Sequence, residues 1–327
     1  MADERVPPRA LHPLPADGAL GACGRPGGAE ASSTADTPAP APPSPARAFW
    51  AAFRENRGAV AGLAVVAFIV LLALLADVVA PHSPIEQFRD AVKAPPVWDG
   101  GTWKYVLGTD SLGRDLLSRL VYGARVSLFI GVAVMSVSFA VGVLLGLACA
   151  SSGNVVDVVV TRVMDLIMAV PSLVLAILVV AVLGPSLANT IVAVTIVYLP
   201  RYVRLVRASA LAELHKEYVT AARVAGVGRL RLMFRTVLPN CLAPLIVQAA
   251  LGVSDAILEA AALGFLGLGA QPPTAEWGTM LADSREFIRS NPWMVTLPGL
   301  AILVTVVSIN LAGDGLRDAL DPKMRRS

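Results

Sequence analysis

The sequence predicts an all-α membrane protein with six transmembrane helices and one short amphipathic helix on the cytoplasmic side, an expectation carried by three observations. Of 327 residues, 55% are apolar and only 16% charged, where a soluble domain carries about 25% charged residues. The charges fall into a few stretches between uncharged runs at 58–76, 126–156, 166–200, 236–254 and 290–313. Each run reaches the roughly 18 residues of a spanning candidate. Basic residues also favour alternate connections between those runs, as the positive-inside rule requires.

Residues 1–46 hold ten prolines and five glycines and almost no large apolar side chains. Such a segment cannot bury a core and is expected to be a disordered tail. No apolar stretch of about 7 to 15 residues precedes its end, so no secretory signal is expected. The run 166–200 is 35 residues, about 52 Å as helix, which is too long for one span. Gly184, Pro185 and Ser186 form a turn signal and divide it. Six expected spans result, at 58–80, 126–150, 158–183, 188–208, 240–262 and 292–312. No internal repeat of 20 to 50 residues is visible.

With the tail inside, inner segments carry 16 basic residues and outer segments 8. Both termini are therefore expected in the cytoplasm. The stretch 81–125 holds six basic residues on the outer side, but long loops are only weakly governed by the rule.

Several chemistries are excluded. A phosphate-binding loop needs a lysine preceded by glycine, and the four lysines, Lys93, Lys104, Lys216 and Lys323, follow Val92, Trp103, His215 and Pro322. This chain does not bind ATP by that motif. His12, His82 and His215 are too scattered for a zinc site, and neither GxSxG nor HExxH occurs. Cys23, Cys149 and Cys241 stand alone and are read as inert, so no metal site or cofactor is expected in this chain. The formal net charge of +3 gives no field suited to nucleic acid.

The most informative connection runs from Leu211 to Asn240. Leu214, Tyr218, Ala221, Ala222 and Ala225 recur at three and four residue steps, which predicts a helix with one apolar face, stopped by Gly226. Alanines on its exposed side permit close backbone approach by a partner.

At these residues the chain resembles the inner-membrane permease subunits of ATP-binding-cassette importers. Glu217, Ala221, Ala222, Gly226, Leu238 and Pro239 match that family's EAA signature. The blocks GTDSLGRDLLSRLVYGARVSL (108–128), GFLGLGAQPPTAEWGTML (264–281) and NLAGDGLRDALDPK (310–323) look like its dipeptide, oligopeptide and nickel group, in particular the second, C-type permease subunit. The likeness covers about 47–323, leaving tails at 1–46 and 324–327. It implies the type I importer permease fold in the cytoplasmic (inner) membrane. Implied partners are a second homologous permease subunit, two cytoplasmic ATPases that bind the ATP and magnesium, and an extracytoplasmic substrate-binding protein. Glu217, Ala221, Ala222 and Gly226 would form the coupling contact to an ATPase. The implied activity is ATP-driven import of di- or oligopeptides. Nickel chelates or another small solute are the alternative, because these motifs mark architecture and not cargo.

Other segments keep two readings each. Asp110 is expected to cap a helix striped by Leu112, Leu116 and Leu120; with 264–290 it forms a docking surface for the binding protein, or else an interfacial anchor with snorkelling arginines. Ionisable groups in spans usually face a cavity or a partner. Arg162 and Asp165, three apart, are expected to pair. Asp255, Glu259 and Gln248 are candidates for lining the translocation path, while Gln248 and Asn310 would equally serve as interhelical hydrogen bonds. A self-sufficient secondary transporter would need a mid-membrane ion site in an inverted repeat; Pro171 and Pro244 could break helices, but no repeat accompanies them. A membrane-embedded enzyme lacks any catalytic cluster.

Overall fold

A computed structural model describes residues 44–320 except Ser152. Most of the expected 1–46 tail and all of 324–327 lie outside the described residues.

Helix α1 (Pro45–Glu55) starts with proline in its first turn and lays Phe49, Ala52 and Phe53 against Ala59 and Ala319. Asn56 then caps α2 (Arg57–Leu74), its Oδ1 accepting from the Ala59 amide at 3.1 Å. A break at Leu75 leads into the single turn α3 (Ala76–Val79). The segment that follows is irregular, with short 3₁₀ turns, up to α4 (Leu116–Ser151). This helix is 36 residues, about 54 Å, and begins ten residues before the expected span. Its cap is Asp115, whose carboxylate accepts from the Ser118 amide at 2.9 Å.

The third expected span, 158–183, is not one helix. It consists of α5 (Asn154–Met168) and α6 (Ser172–Leu183), bent by 95°. Pro171 accounts for the break, since it has no N–H to continue the ladder and disfavours helical backbone at Val170. Gly184 closes α6 and Ser186 opens α7 (Leu187–Leu214), accepting from the Asn189 amide at 3.1 Å. Next come α8 (Glu217–Val224), α9 (Arg229–Arg231) and a π-helical stretch at Leu232–Val237. The remaining helices are α10 (Leu238–Phe265), α11 (Trp277–Ser284) and α12 (Trp293–Leu320). Among the described residues there is no strand, only an isolated bridge between Thr109 and Asp115.

By length and composition, α2, α4, the stretch Arg229–Phe265 and α12 are apolar enough to cross a membrane, and α5 with α6 makes a fifth if the bent pair is one span. Helix α7 is not among them, because Arg201, Arg204 and Arg207 dilute its apolar stretch. Exposed side chains such as Phe68, Leu71, Leu303 and Val307 face outward on α2 and α12, as lipid contact requires.

Helix α4 is the packing axis, set against α7 and α10. A Cβ at Gly142 would lie 2.5 Å from Tyr202 Cβ, and one at Gly146 2.6 Å from Val206 Cβ. Small residues four apart let α4 and α7 close to backbone contact, the usual way of associating helices where lipid removes the hydrophobic drive. One core joins Ile130, Val134, Tyr198, Tyr202, Ala256 and Leu263 from α4, α7 and α10, and another joins α4, α10, α11 and α12 around Trp277, Met280 and Met294.

Candidate coupling and translocation site

The chain leaves α7 at Leu214 and turns through His215 and Lys216 into α8. Buried Glu213 holds the turn. Its Oε1 accepts from Lys216 Nζ at 2.6 Å, and its Oε2 accepts from the Tyr218 hydroxyl. That hydrogen bond to a carboxylate pushes the Tyr218 phenol up to about 12. At the other end, the Val227 amide donates to the Ala222 carbonyl at 3.1 Å and Gly226 adopts φ +79°. This is the left-handed stop expected of glycine after a helix.

The apolar face differs from the expected one. Leu214 belongs to α7, so the helix is shorter than the periodicity implied, and Val219 and Ala222 form its packed side, with Val227 just past its end. These join Val206, Ala210, Leu232, Met233, Val237 and Leu245 in a core seated on the ends of α4, α7 and α10. Glu217, Ala221, Ala225 and Gly226 are exposed. Nothing lies within 4 Å of a Cβ built on Gly226. Helix α8 therefore presents a small-residue surface to whatever meets it, while its back is locked into the helix bundle. The π-helical stretch after it lies just before Pro239 and Pro244, which have no N–H to donate.

Gln248, Asp255 and Glu259 sit at i, i+7 and i+11 of α10 and so share one stripe. Gln248 lines a cavity of about 700 Å³ with Ser209, Glu213, Pro244 and Arg317. Farther along, Asp255 Oδ2 lies 3.6 Å from Arg201 Nη1, and Glu259 Oε1 accepts from Ser172 Oγ at 2.7 Å. Sequence reasoning missed Arg201 and Ser172 as members of this group. Asn310 does make an interhelical bond, its Oδ1 accepting from Ser254 Oγ at 2.6 Å.

The expected Arg162–Asp165 pair is absent. Asp165 is bound by Arg204, and Asp157 by Arg207 with two nitrogens. The arginines at 201, 204 and 207 are three residues apart, so each step turns about 60° around α7. That rotation carries the row from α10 round to α5. The available signal was this spacing, together with acids eight apart at 157 and 165.

The block 108–128 also departs from expectation. Helix α4 starts only after Asp110, which instead caps a turn: its Oδ1 accepts from the amides of Leu112 and Arg114 at 2.9 Å each. Leu112 is exposed and outside the helix, so the three-leucine stripe does not exist. Arg114 and Arg119 are 4% and 2% exposed and so do not snorkel, while half-exposed Arg125 lies 3.0 Å from Asp77. Arg114 Nε donates to Asp110 at 2.6 Å, and Asp283 lies 3.3 Å from Arg114. Buried Glu276 caps α11, accepting from the Gly278 and Thr279 amides at 2.8 Å each. Burial raises its pKa against those bonds. The blocks 108–128 and 264–281 also meet directly, Ser127 Oγ donating to Glu276 and Trp277 Nε1 to the Leu120 carbonyl, and so form one internally paired cap at the N-terminal end of α4 and the C-terminal end of α10.

A bundle of long apolar helices with an exposed small-residue helix at one end and a charged groove at mid-length is a multi-pass membrane transport subunit. Residues 142–326 match the family model described as the binding-protein-dependent transport system inner membrane component, and residues 44–96 match the N-terminal transmembrane domain of oligopeptide transport permease C. The chain belongs to the family of binding-protein-dependent transport system inner membrane components, the permeases of ATP-binding-cassette importers. It is 57% identical to the di/tripeptide transport system permease protein DppC of Pseudomonas aeruginosa (strain UCBPP-PA14), over 87% of this chain and 94% of that protein. It is 56% identical to the dipeptide transport system permease protein DppC of Escherichia coli (strain K12), over 88% and 96%. In fold it is similar to a chain of the inward-facing MetNI methionine transporter, with TM-score 0.52 and 19% identity over 63% of this chain and 98% of that one.

Proposed function

We propose that this chain is one permease half of an ATP-driven importer of di- and tripeptides, working in the cytoplasmic membrane. Six crossings are made by α2, α4, the broken α5/α6 pair, α7, α10 and α12, spread over a permease domain of about 47–323 between tails at 1–46 and 324–327. Helix α7 crosses despite its arginines because they meet Asp255, Asp165 and Asp157 instead of lipid. Both termini and α8 lie in the cytoplasm.

The observation that carries this reading is α8. Its exposed Glu217, Ala221 and Gly226 fit a cleft of a cytoplasmic ATPase, and its packed side passes any push to α4, α7 and α10. ATP and magnesium are held by two such partners and no cofactor by this chain. A second homologous permease completes the pore, and an extracytoplasmic receptor delivers peptide at the outer cap. The peptide cargo rests on the relatives' names.

The test is photo-crosslinking in cells carrying the whole importer. Benzoylphenylalanine at Ala225 is expected to trap the ATPase, and the same group at Val92 in the outer segment is not. Absence of an ATPase adduct at Ala225 would overturn the coupling assignment.

A further inference from the structure

The charged groove between α7 and α10 holds both signs of charge where apolar surroundings make either sign costly. Arg201 is the fifteenth of the 28 residues of α7, and Asp255 the eighteenth of the 28 of α10. The break between α5 and α6 lies at the same level, since Ser172 reaches Glu259 one turn beyond Asp255. All three elements therefore place polar groups within their crossings. The side chains of Arg201 and Asp255 are 50% and 45% exposed, which at that depth means exposed to a water-filled route or to a partner. Their 3.6 Å separation is a loose pair, and Arg201 is braced from behind by the Tyr198 ring, 5.2 Å away. Arg201, Leu205, Ser209 and Ala212 follow one face of α7, and the last three line the 700 Å³ cavity that Gln248 also lines. Arg201 itself lines a second cavity, of about 210 Å³, with Pro171, Ser172 and Val197 at the break between α5 and α6.

We propose that Arg201 and the Asp255–Glu259 pair are the permease's own contacts for the termini of a short peptide, Arg201 taking its carboxylate and the two acids its ammonium group. This rests on the importer reading above. A zwitterion matches the site because it separates the pair without leaving either charge unpaired: guanidinium to carboxylate on one side, carboxylates to ammonium on the other. Ser172 then hands Glu259 over to the ammonium at the mouth of the helix break. A substrate with one charge would strand the other half of the pair, so the device selects against it.

The experiment uses the complete importer in liposomes, with its receptor supplied saturated with labelled dialanine. Wild type must accumulate dialanine only with ATP at the ATPase side; failure here defeats the importer reading and leaves the pair out of account. Given that activity, Arg201→Gln and Glu259→Gln are each expected to lower the uptake rate at least tenfold. The double exchange Arg201→Asp with Asp255→Arg rebuilds an ion pair with its ends reversed. It is expected to keep co-purification of all subunits at the wild-type level while uptake stays low. Near-normal uptake in Arg201→Gln, or recovery of uptake in the double exchange, would overturn the proposal and leave the pair as a structural or inter-subunit contact.

Discussion

Gly226 offers the sharpest check on the coupling helix, because its requirement is conformational and not steric. It holds φ +79° with open space where a Cβ would go. A residue with a Cβ in that region costs about 1 to 2 kcal/mol, and β-branched side chains are genuine outliers there. Since about 1.4 kcal/mol is tenfold in an equilibrium constant, Gly226→Val is expected to lower the population of the native stop roughly 5 to 30-fold. Asparagine tolerates the left-handed region far better. Gly226→Asn is thus expected to keep most activity although its side chain is nearly as large. The assay is ATP-dependent dialanine uptake by the reconstituted importer, with the amount of inserted protein fixed by quantitative blotting. Two results would refute the reasoning: transport by the Gly226→Val variant within twofold of wild type, or asparagine and valine equally impaired. The second would mean that the surface must be bare for contact, whatever the backbone does.

Three further outcomes follow from the geometry. At Gly142 a Cβ meets Tyr202 Cβ at 2.5 Å between two backbones, whereas at Gly299 the nearest atom is 3.9 Å away. Gly142→Ala should lower the thermal midpoint, by overpacking worth about 1 to 3 kcal/mol, and Gly299→Ala should be neutral or stabilising; fluorescence-detected size exclusion after heating reads both. The bond from Tyr218 to Glu213 raises the phenol, so its contribution is complete below the ordinary tyrosine value near 10 and is lost as pH rises through about 12. Glu213→Gln should bring one phenolate transition down toward 10 in the absorbance difference between variant and wild type, and unchanged titration would count against the contact. Cys149 and Cys241 are 4% and 1% exposed, so a membrane-permeant maleimide should label neither until the protein is denatured; rapid labelling of either in the folded state would contradict the packing.

Much of the fold was legible because uncharged runs and turn signals are local. The divide at Gly184–Ser186, the long helices at 126–150, 240–262 and 292–312, and the stop at Gly226 all came from residues that act on their own neighbourhood. Boundaries slipped where a helix continues past its apolar stretch: α4 starts at Leu116 because Asp115 caps it there, ten residues before the uncharged run begins. The broken third span had a visible cause in Pro171, yet a proline is equally tolerated inside a continuous helix, as Pro200 is within α7. What decided between them is the setting of α6 against α7.

The charged groups were legible as residues and illegible as partners. Spacing of three made Arg162 and Asp165 an obvious pair on one helix, but α7 supplies Arg204 from across the bundle. Arg204 takes the Asp165 carboxylate, and Arg162, on the same helix as Asp165, is left exposed. The same competition explains Asp110 and Asp255. Each was read from its own strand of sequence, and each is claimed by an arginine, Arg114 or Arg201, whose alternative would be burial or lipid without a counter-charge. An arginine that the fold must place at depth chooses its acid by geometry across helices. For this reason the row at 201, 204 and 207, rather than any acid, is the feature from which the ion-pair ladder of this bundle follows.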